Sequence, residues 1–203
     1  ALVHGGPFGN IAHGCNSLVA TKLALALGDI VMTEAGFGAD LGAEKFLNIK
    51  CQLGGLDPEA AVIVATVRAL KMHGGVKKDG LGTPDVAALI RGMANLEGHV
   101  KNLQKFGLPV IVALNRFSSD TQEELDAVLT AARGWGVRAA LSEVWAKGGE
   151  GGEAVGREIL AVLAEGKARF KPLYQLQLPI KKKIEIIATE IYGAAGVDYS
   201  AAA

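Results

Sequence analysis

The chain has 203 residues, enough for one good-sized domain or two small ones, and half of them are hydrophobic. Lysine plus arginine equals aspartate plus glutamate, 21 against 21, so the formal net charge is zero. A neutral, apolar-rich chain reads as a globular protein and excludes a nucleic-acid binder held by bulk charge.

No apolar run is long enough to span a membrane, so the expected partners are small molecules, with neither membrane nor nucleic acid. Cys15 and Cys51 stand in no metal-ligand spacing and are too few for a disulfide framework. They are expected as reduced thiols of a cytoplasmic protein. Glycine is abundant, at 27 residues, which suits an α/β fold with many strand-to-helix turns. The opening Ala1-Leu2-Val3-His4 runs straight into an expected strand end, and Ala201-Ala202-Ala203 carries no clear stop. The stretch reads as cut from something larger.

Val3 to Phe8 reads as that strand end and a turn, punctuated by Gly5-Gly6-Pro7. Asn10, His13 and Asn16 lead into a helix from about Ser17 to Leu27, with Leu18, Leu23 and Leu27 expected inward and Gly28 at its C-cap. His13 is a site candidate, although a hydrogen-bonded structural histidine is the commoner case. Asp29 to Thr33 is an expected strand. It enters Glu34-Ala35-Gly36-Phe37-Gly38-Ala39-Asp40-Leu41-Gly42, whose glycines let backbone N–H groups approach a phosphate. The helix expected from Leu41 to Cys51 would aim its N-terminus at the same place. Glu34 and Asp40 supply carboxylates suited to orienting magnesium. Such a loop also serves as a plain turn.

Val62-Ile63-Val64 is a β-branched run that suits a strand buried on both faces. Arg68, Lys71 and His73 follow it in an expected basic loop, which Gly74-Gly75 closes. Cations at the carboxyl end of a buried strand suit an anionic ligand. The alternative is that they are solvated or paired with nearby carboxylates. Thr83 and Pro84 are expected as N-cap and first residue of a helix whose buried face runs through Leu89, Met93, Leu96, Val100 and Leu103 to a stop at Gly107.

Leu108 to Leu114 is the next expected strand, ending in Asn115-Arg116-Phe117. A helix from Asp120 to Arg133 follows, with Asp120 and Glu123 as the start pair and Leu125, Val128 and Leu129 inward. Val137 to Leu141 is a further strand, leading through Ser142 into a glycine-rich loop that carries Trp145. Trp135 reads as core, whereas Trp145 has little core to fill. A helix spans about Glu153 to Lys167, and another follows Pro179 with Ile184, Ile187 and Ile191 as its stripe. These elements predict an α/β fold on a mostly parallel sheet with crossover helices.

The run Val64 to Gly75, Val-Ala-Thr-Val-Arg-Ala-Leu-Lys-Met-His-Gly-Gly, resembles the signature of the formate–tetrahydrofolate ligase family. His4 to Phe8, Asn10 to Gly14, and Thr33 to Phe46 are similar to the same family. Gly9 stands where that family is expected to carry alanine. The resemblance implies ATP-dependent ligation of formate to tetrahydrofolate through formyl phosphate, giving 10-formyltetrahydrofolate, with Mg2+ and a monovalent cation (K+ or NH4+) assisting. It implies catalytic roles for Arg68, Lys71 and His73, and a pterin slot between Phe117 and Trp145. It places Gly36, Phe37, Gly38, Asp40, Asn115, Leu141 and Ser142 at the nucleotide. It also implies a homo-oligomer, a tetramer in the full-length family. The family's phosphate loop, G-x-x-x-x-G-K-[ST], is not in this sequence. Residues 1–117 then read as part of a P-loop-NTPase-like nucleotide domain lacking that loop, and residues 118–203 as part of a smaller folate-binding α/β domain. The rival reading is a non-catalytic folate- or nucleotide-binding module of a split assembly.

Overall fold

The computed structural model describes residues 14–200, which form two compact units. One comprises Pro58–Phe170; the other joins the segment up to Asp57 with the segment from Lys171 onward. The segment His4 to His13, including the His13 candidate, lies outside the described residues.

The Pro58–Phe170 unit is an α/β layer structure on a parallel sheet of order β1-β2-β3 among the described residues. β1 is Ala61–Thr66, β2 Val110–Asn115 and β3 Arg138–Ser142. β2 is the middle strand, and Ile111, Val112 and Leu114 are wholly buried. A continuous apolar run suits that position, because helices cover both faces of a parallel sheet. β1, expected to be buried on both faces, is an edge strand among the described residues. Ile63 and Ala65 face the core while Val64 is 62% exposed.

The connection from β1 to β2 runs through α4 (Val67–His73), a helix capped by the Thr66 hydroxyl where a basic loop was expected, and α5 (Val86–Lys105). These two helices pack backbone to backbone. A Cβ at Gly92 would lie 1.8 Å from the Leu70 carbonyl oxygen, and one at Gly74 would lie 1.9 Å from that of Ala88. α5 buries Leu89, Met93, Leu96, Val100 and Leu103 at helical spacing, as expected. Its N-cap is Asp85, not Thr83. The Asp85 carboxylate accepts from the Ala88 N–H at 2.8 Å, while the Thr83 carbonyl accepts from Lys71.

α6 (Gln122–Gly134) links β2 to β3, and its cap also sits one residue beyond expectation. Thr121 and Glu124 form the reciprocal capping box, which frees Asp120 to accept from the Phe117 N–H at 2.8 Å. After β3 come the short α7 (Val144–Lys147), a 3-10 turn over Gly148–Gly152, and α8 (Glu153–Glu165). Position 117, the expected domain boundary, lies in this unit on the loop after its central strand.

The other unit is helical. α1 (Leu18–Leu27) begins at Ser17, whose hydroxyl accepts from the Ala20 N–H. Leu23 and Leu27, expected inward, are 45% and 75% exposed. The helix is apolar nearly all round, so its pattern favours no single face. Asp29–Thr33 forms no ladder among the described residues, because a strand requires a neighbour to pair with.

The helix expected from Leu41 to Cys51 is three joined pieces: α2 (Ala39–Ala43), a π-helical stretch Glu44–Lys50, and α3 (Cys51–Gly54). Within this unit the π stretch is tied to the distant segment around residue 174. Wholly buried Asn48 accepts from the Leu173 N–H at 2.8 Å, Gln52 donates to the Tyr174 carbonyl, and the Tyr174 hydroxyl donates to Glu44. Burial pushes the Cys51 thiol up to about 12, which makes it a packing group rather than a nucleophile. α9 (Ile180–Glu190) follows, and beyond it the Tyr192 hydroxyl donates to Asp40 at 2.5 Å. Among the described residues no helix is long and apolar enough to cross a membrane.

Candidate active site

Parallel pairing aligns the carboxyl ends of the three strands. Thr66 lies opposite Asn115, and Asn115 opposite Ser142. Ligands of open α/β sheets bind beyond this edge. The side chains just past it are Arg68, Arg116, Phe117, Glu143 and Trp145.

Arg68 sits in the first turn of α4, where the Thr66 hydroxyl accepts from the Ala69 N–H as N-cap. Its guanidinium carbon lies 5.6 Å from the centre of the Phe117 ring, a cation–π contact. Among the described residues Arg68 forms no ion pair, so its charge is available at the rim. The loops after β2 and β3 are joined directly. The Arg116 N–H donates to the Ser142 carbonyl at 3.0 Å, and the Arg116 guanidinium meets Glu143 at 3.3 Å. Lys147 also pairs with Glu143, at 2.7 Å; that bond, with Arg116 beside it, holds the carboxyl below its usual range. Gly151 closes the loop, with its carbonyl accepting from the Glu143 N–H at 2.9 Å. A Cβ there would lie 2.4 Å from the Glu143 backbone. The result is a short, tied loop that holds Trp145 outward, 92% exposed, while Phe117 on the neighbouring loop is 39% exposed.

Of the three expected catalytic cations, only Arg68 is at this rim beside a ring. Val67, Leu70 and Lys71 share the buried face of α4 at the i, i+3, i+4 spacing, so Lys71 turns inward. Its ammonium lies 2.9 Å from Glu124, with both side chains wholly buried, and donates to the Thr83 carbonyl at 2.9 Å. His73 is exposed in the last turn. Ser142 is buried, and Leu141 and Asn115 are half-buried, in the last two positions of β3 and the last of β2.

The glycine loop belongs to the other unit. Gly36 and Phe37 both adopt positive φ, at 67° and 61°. That conformation is rare for phenylalanine and is stored mainly at functional positions. A Cβ at Gly42 would meet the Gly36 carbonyl at 2.4 Å, so the loop folds tightly onto α2. Gly38 is the N-cap of α2. The Phe37 ring is 59% exposed and carries the Lys45 ammonium 4.4 Å from its centre.

A separate cavity of about 710 Å3 lies at the opposite, amino-terminal edge of the sheet, lined by Pro109, Val110, Arg138 and Ala139 among others. Arg138 is there bound by Glu158 at 2.8 Å and Glu165 at 2.5 Å, so its charge is already matched.

The family model for formate–tetrahydrofolate ligase matches residues 1–203. The chain belongs to the formate–tetrahydrofolate ligase family. The curated formate–tetrahydrofolate ligase of Paracoccus denitrificans (strain Pd 1222) is 61% identical over 199 residues, which are 98% of this chain and 36% of that protein. The chain thus spans about a third of that relative's length.

Within this ligase-family chain, sequence reasoning missed three residues that shape the rim. They are Arg116 and Glu143, which join the two loops, and Asp120, which closes the turn behind Phe117. The Thr121/Glu124 spacing was the available signal for the last, since it moves the helix start past Asp120. One Asp40 oxygen accepts from Tyr192, and the described residues contain no group of three histidines, cysteines or acids able to hold a metal ion.

Proposed function

We propose that this chain carries part of the working surface of a formate–tetrahydrofolate ligase. In that reaction ATP phosphorylates formate to formyl phosphate and ADP leaves. The folate amine then attacks the formyl carbon and phosphate departs, leaving 10-formyltetrahydrofolate. The observation that carries the reading is the pair Phe117 and Trp145, exposed rings on adjoining loops beyond neighbouring parallel strands, with the Arg68 cation beside one of them. Two such faces suit a flat pterin. Arg68 is the group assigned to developing negative charge, because it is charged, at the rim and unpaired among the described residues.

On the other unit, Gly36, Phe37, Gly38 and Asp40 are assigned to nucleotide phosphate, and on the sheet unit Asn115, Leu141 and Ser142 are assigned to nucleotide. Mg2+ and a monovalent cation belong to the same proposal, with no step derived through them. A tetrameric assembly and a cytoplasmic location complete it.

The test is calorimetric titration of tetrahydrofolate into the complete ligase that carries this chain, with and without Phe117→Ala. A loss of roughly tenfold or more in affinity is expected, about 1.4 kcal/mol per decade. Unchanged folate affinity would sink the reading. The 203-residue chain alone, lacking a phosphate-loop lysine, is expected to show no formate-dependent ATP hydrolysis. Formate-stimulated ADP release by the pure chain would refute that.

A further inference from the structure

The buried ion pair Lys71–Glu124 lies away from the rim, yet it ties together the two segments that form it. Glu124 Oε1 receives the Lys71 ammonium at 2.9 Å and the Asp85 N–H at 3.0 Å. Glu124 Oε2 receives the Thr121 N–H and hydroxyl, each at 3.0 Å. Lys71 spends a second donor on the Thr83 carbonyl. One carboxylate therefore locks α4, the Thr83–Asp85 turn and the start of α6 into a single arrangement.

From that lock two short arms reach the rim. Along α4, Arg68 stands one turn before Lys71 on the outer side. Along α6, Thr121 adjoins Asp120, whose carboxylate accepts from the Phe117 N–H at 2.8 Å and whose own N–H donates back to the Phe117 carbonyl at 3.0 Å. The arms meet where Arg68 covers the Phe117 ring at 5.6 Å. An apolar pair would hold two helices together about as well as a buried ion pair. A hydrogen-bonded pair differs in being directional, and so sets one register between α4 and α6.

We propose that Lys71 and Glu124 are positioning residues for tetrahydrofolate, fixing Arg68 and Phe117 relative to one another so that the ring meets the pterin in one orientation. This rests on the reading of Phe117 as a pterin face.

The test measures kcat, the three substrate KM values and the melting temperature of the complete ligase carrying this chain. The variants are Lys71→Met/Glu124→Gln, Asp120→Asn and Phe117→Ala. The double replacement removes both charges together and leaves an amide oxygen to cap α6. It is expected to raise the KM for tetrahydrofolate about tenfold while those for ATP and formate stay within twofold. Asp120→Asn, which weakens the same route at its far end by replacing a charged acceptor with an amide oxygen, should give a smaller rise for tetrahydrofolate alone. Adding the double replacement to Phe117→Ala should raise that KM no further. A folded double variant with unchanged tetrahydrofolate KM overturns the proposal, as does an equal loss for all three substrates. If the double variant does not fold, Asp120→Asn decides in the same way. Sensitivity to Phe117→Ala with indifference to both other variants removes the positioning role alone. Indifference to Phe117→Ala removes the pterin reading and the positioning role with it.

Discussion

The Arg68 guanidinium lies 5.6 Å from the centre of the Phe117 ring, so the segments following two adjacent parallel strands converge on one aromatic face. With that side of the ring covered, the proposed pterin would take the other. Arg68→Met should weaken tetrahydrofolate binding several-fold, since an exposed cation–π contact contributes about 0.5–1 kcal/mol and the charge is lost as well. Arg68→Lys should recover only part of it, because an ammonium cannot stack as a planar guanidinium does. Equal folate affinity in wild type and Arg68→Met, measured by calorimetry, would remove Arg68 from the site.

Trp145 separates binding from stability. At 92% exposure it contributes little packing, so Trp145→Ala should change the unfolding free energy by no more than about 0.5 kcal/mol. Folate affinity should nevertheless fall by roughly tenfold, with ring contact and lost burial together supplying about 1.4 kcal/mol. Fluorescence offers a direct readout. Tetrahydrofolate should quench Trp145 and leave most of the half-buried Trp135 signal, each isolated by replacing the other with Phe. Equal quenching of both would contradict the assignment.

Two glycines of α5 should respond in opposite directions to the same substitution. Gly92→Ala places a methyl 1.8 Å from the Leu70 carbonyl oxygen, so α4 and α5 must separate, at a cost of about 1–3 kcal/mol or more. A Cβ at Gly98 meets nothing within 4 Å, and Gly98→Ala should stabilise by about 0.5–1 kcal/mol through helix propensity. Urea unfolding of both variants checks this, and a neutral Gly92→Ala would mean that the helices are less closely packed.

The acid limb of stability should carry the signature of Glu124. Burial by itself would push this carboxyl up. The N–H groups of Thr121 and Asp85, the Lys71 ammonium and the Thr121 hydroxyl outweigh it and hold the group at about 2, against an ordinary value of 4.5. A depressed carboxyl stabilises the fold fully above its unfolded value and loses that contribution as pH falls toward its folded value. The loss should therefore run from about pH 4.5 down to about pH 2. In Lys71→Met/Glu124→Gln that part of the pH dependence should vanish, leaving a shallower slope in urea melts between pH 5 and 3. An unchanged slope would show that other carboxylates dominate the acid transition.

Local pattern was enough to determine the α/β class, the three strands with α5, α6 and α8 along residues 58–170, the buried stripe of α5, and the family through the Val64–Gly75 run; α4, whose basic run reads as a loop, was not among them. Each of these is carried by residues near one another in the chain, through strand alternation, helical period or consecutive identity. The inward turn of Lys71 was legible in principle, because it shares a helical face with Val67 and Leu70. Its partner was not, since Glu124 stands 53 positions away and only the packing of α4 against α6 brings the charges together. Strand order likewise belongs to the tertiary structure. Val62–Val64 and Val110–Leu114 look alike as sequence, yet among the described residues β2 is enclosed and β1 is an edge, because the neighbours of a strand come from elsewhere in the chain. The cap positions moved by a residue or two for the same reason. Thr83 and Asp120 are both sound local caps, but Lys71 claims the Thr83 carbonyl and the Phe117 turn claims the Asp120 carboxylate. The exposed leucines of α1, and Asp29–Thr33 with no ladder among the described residues, show the limit most clearly. Apolar residues state that a surface is to be covered, and only three-dimensional neighbours decide which one and by what.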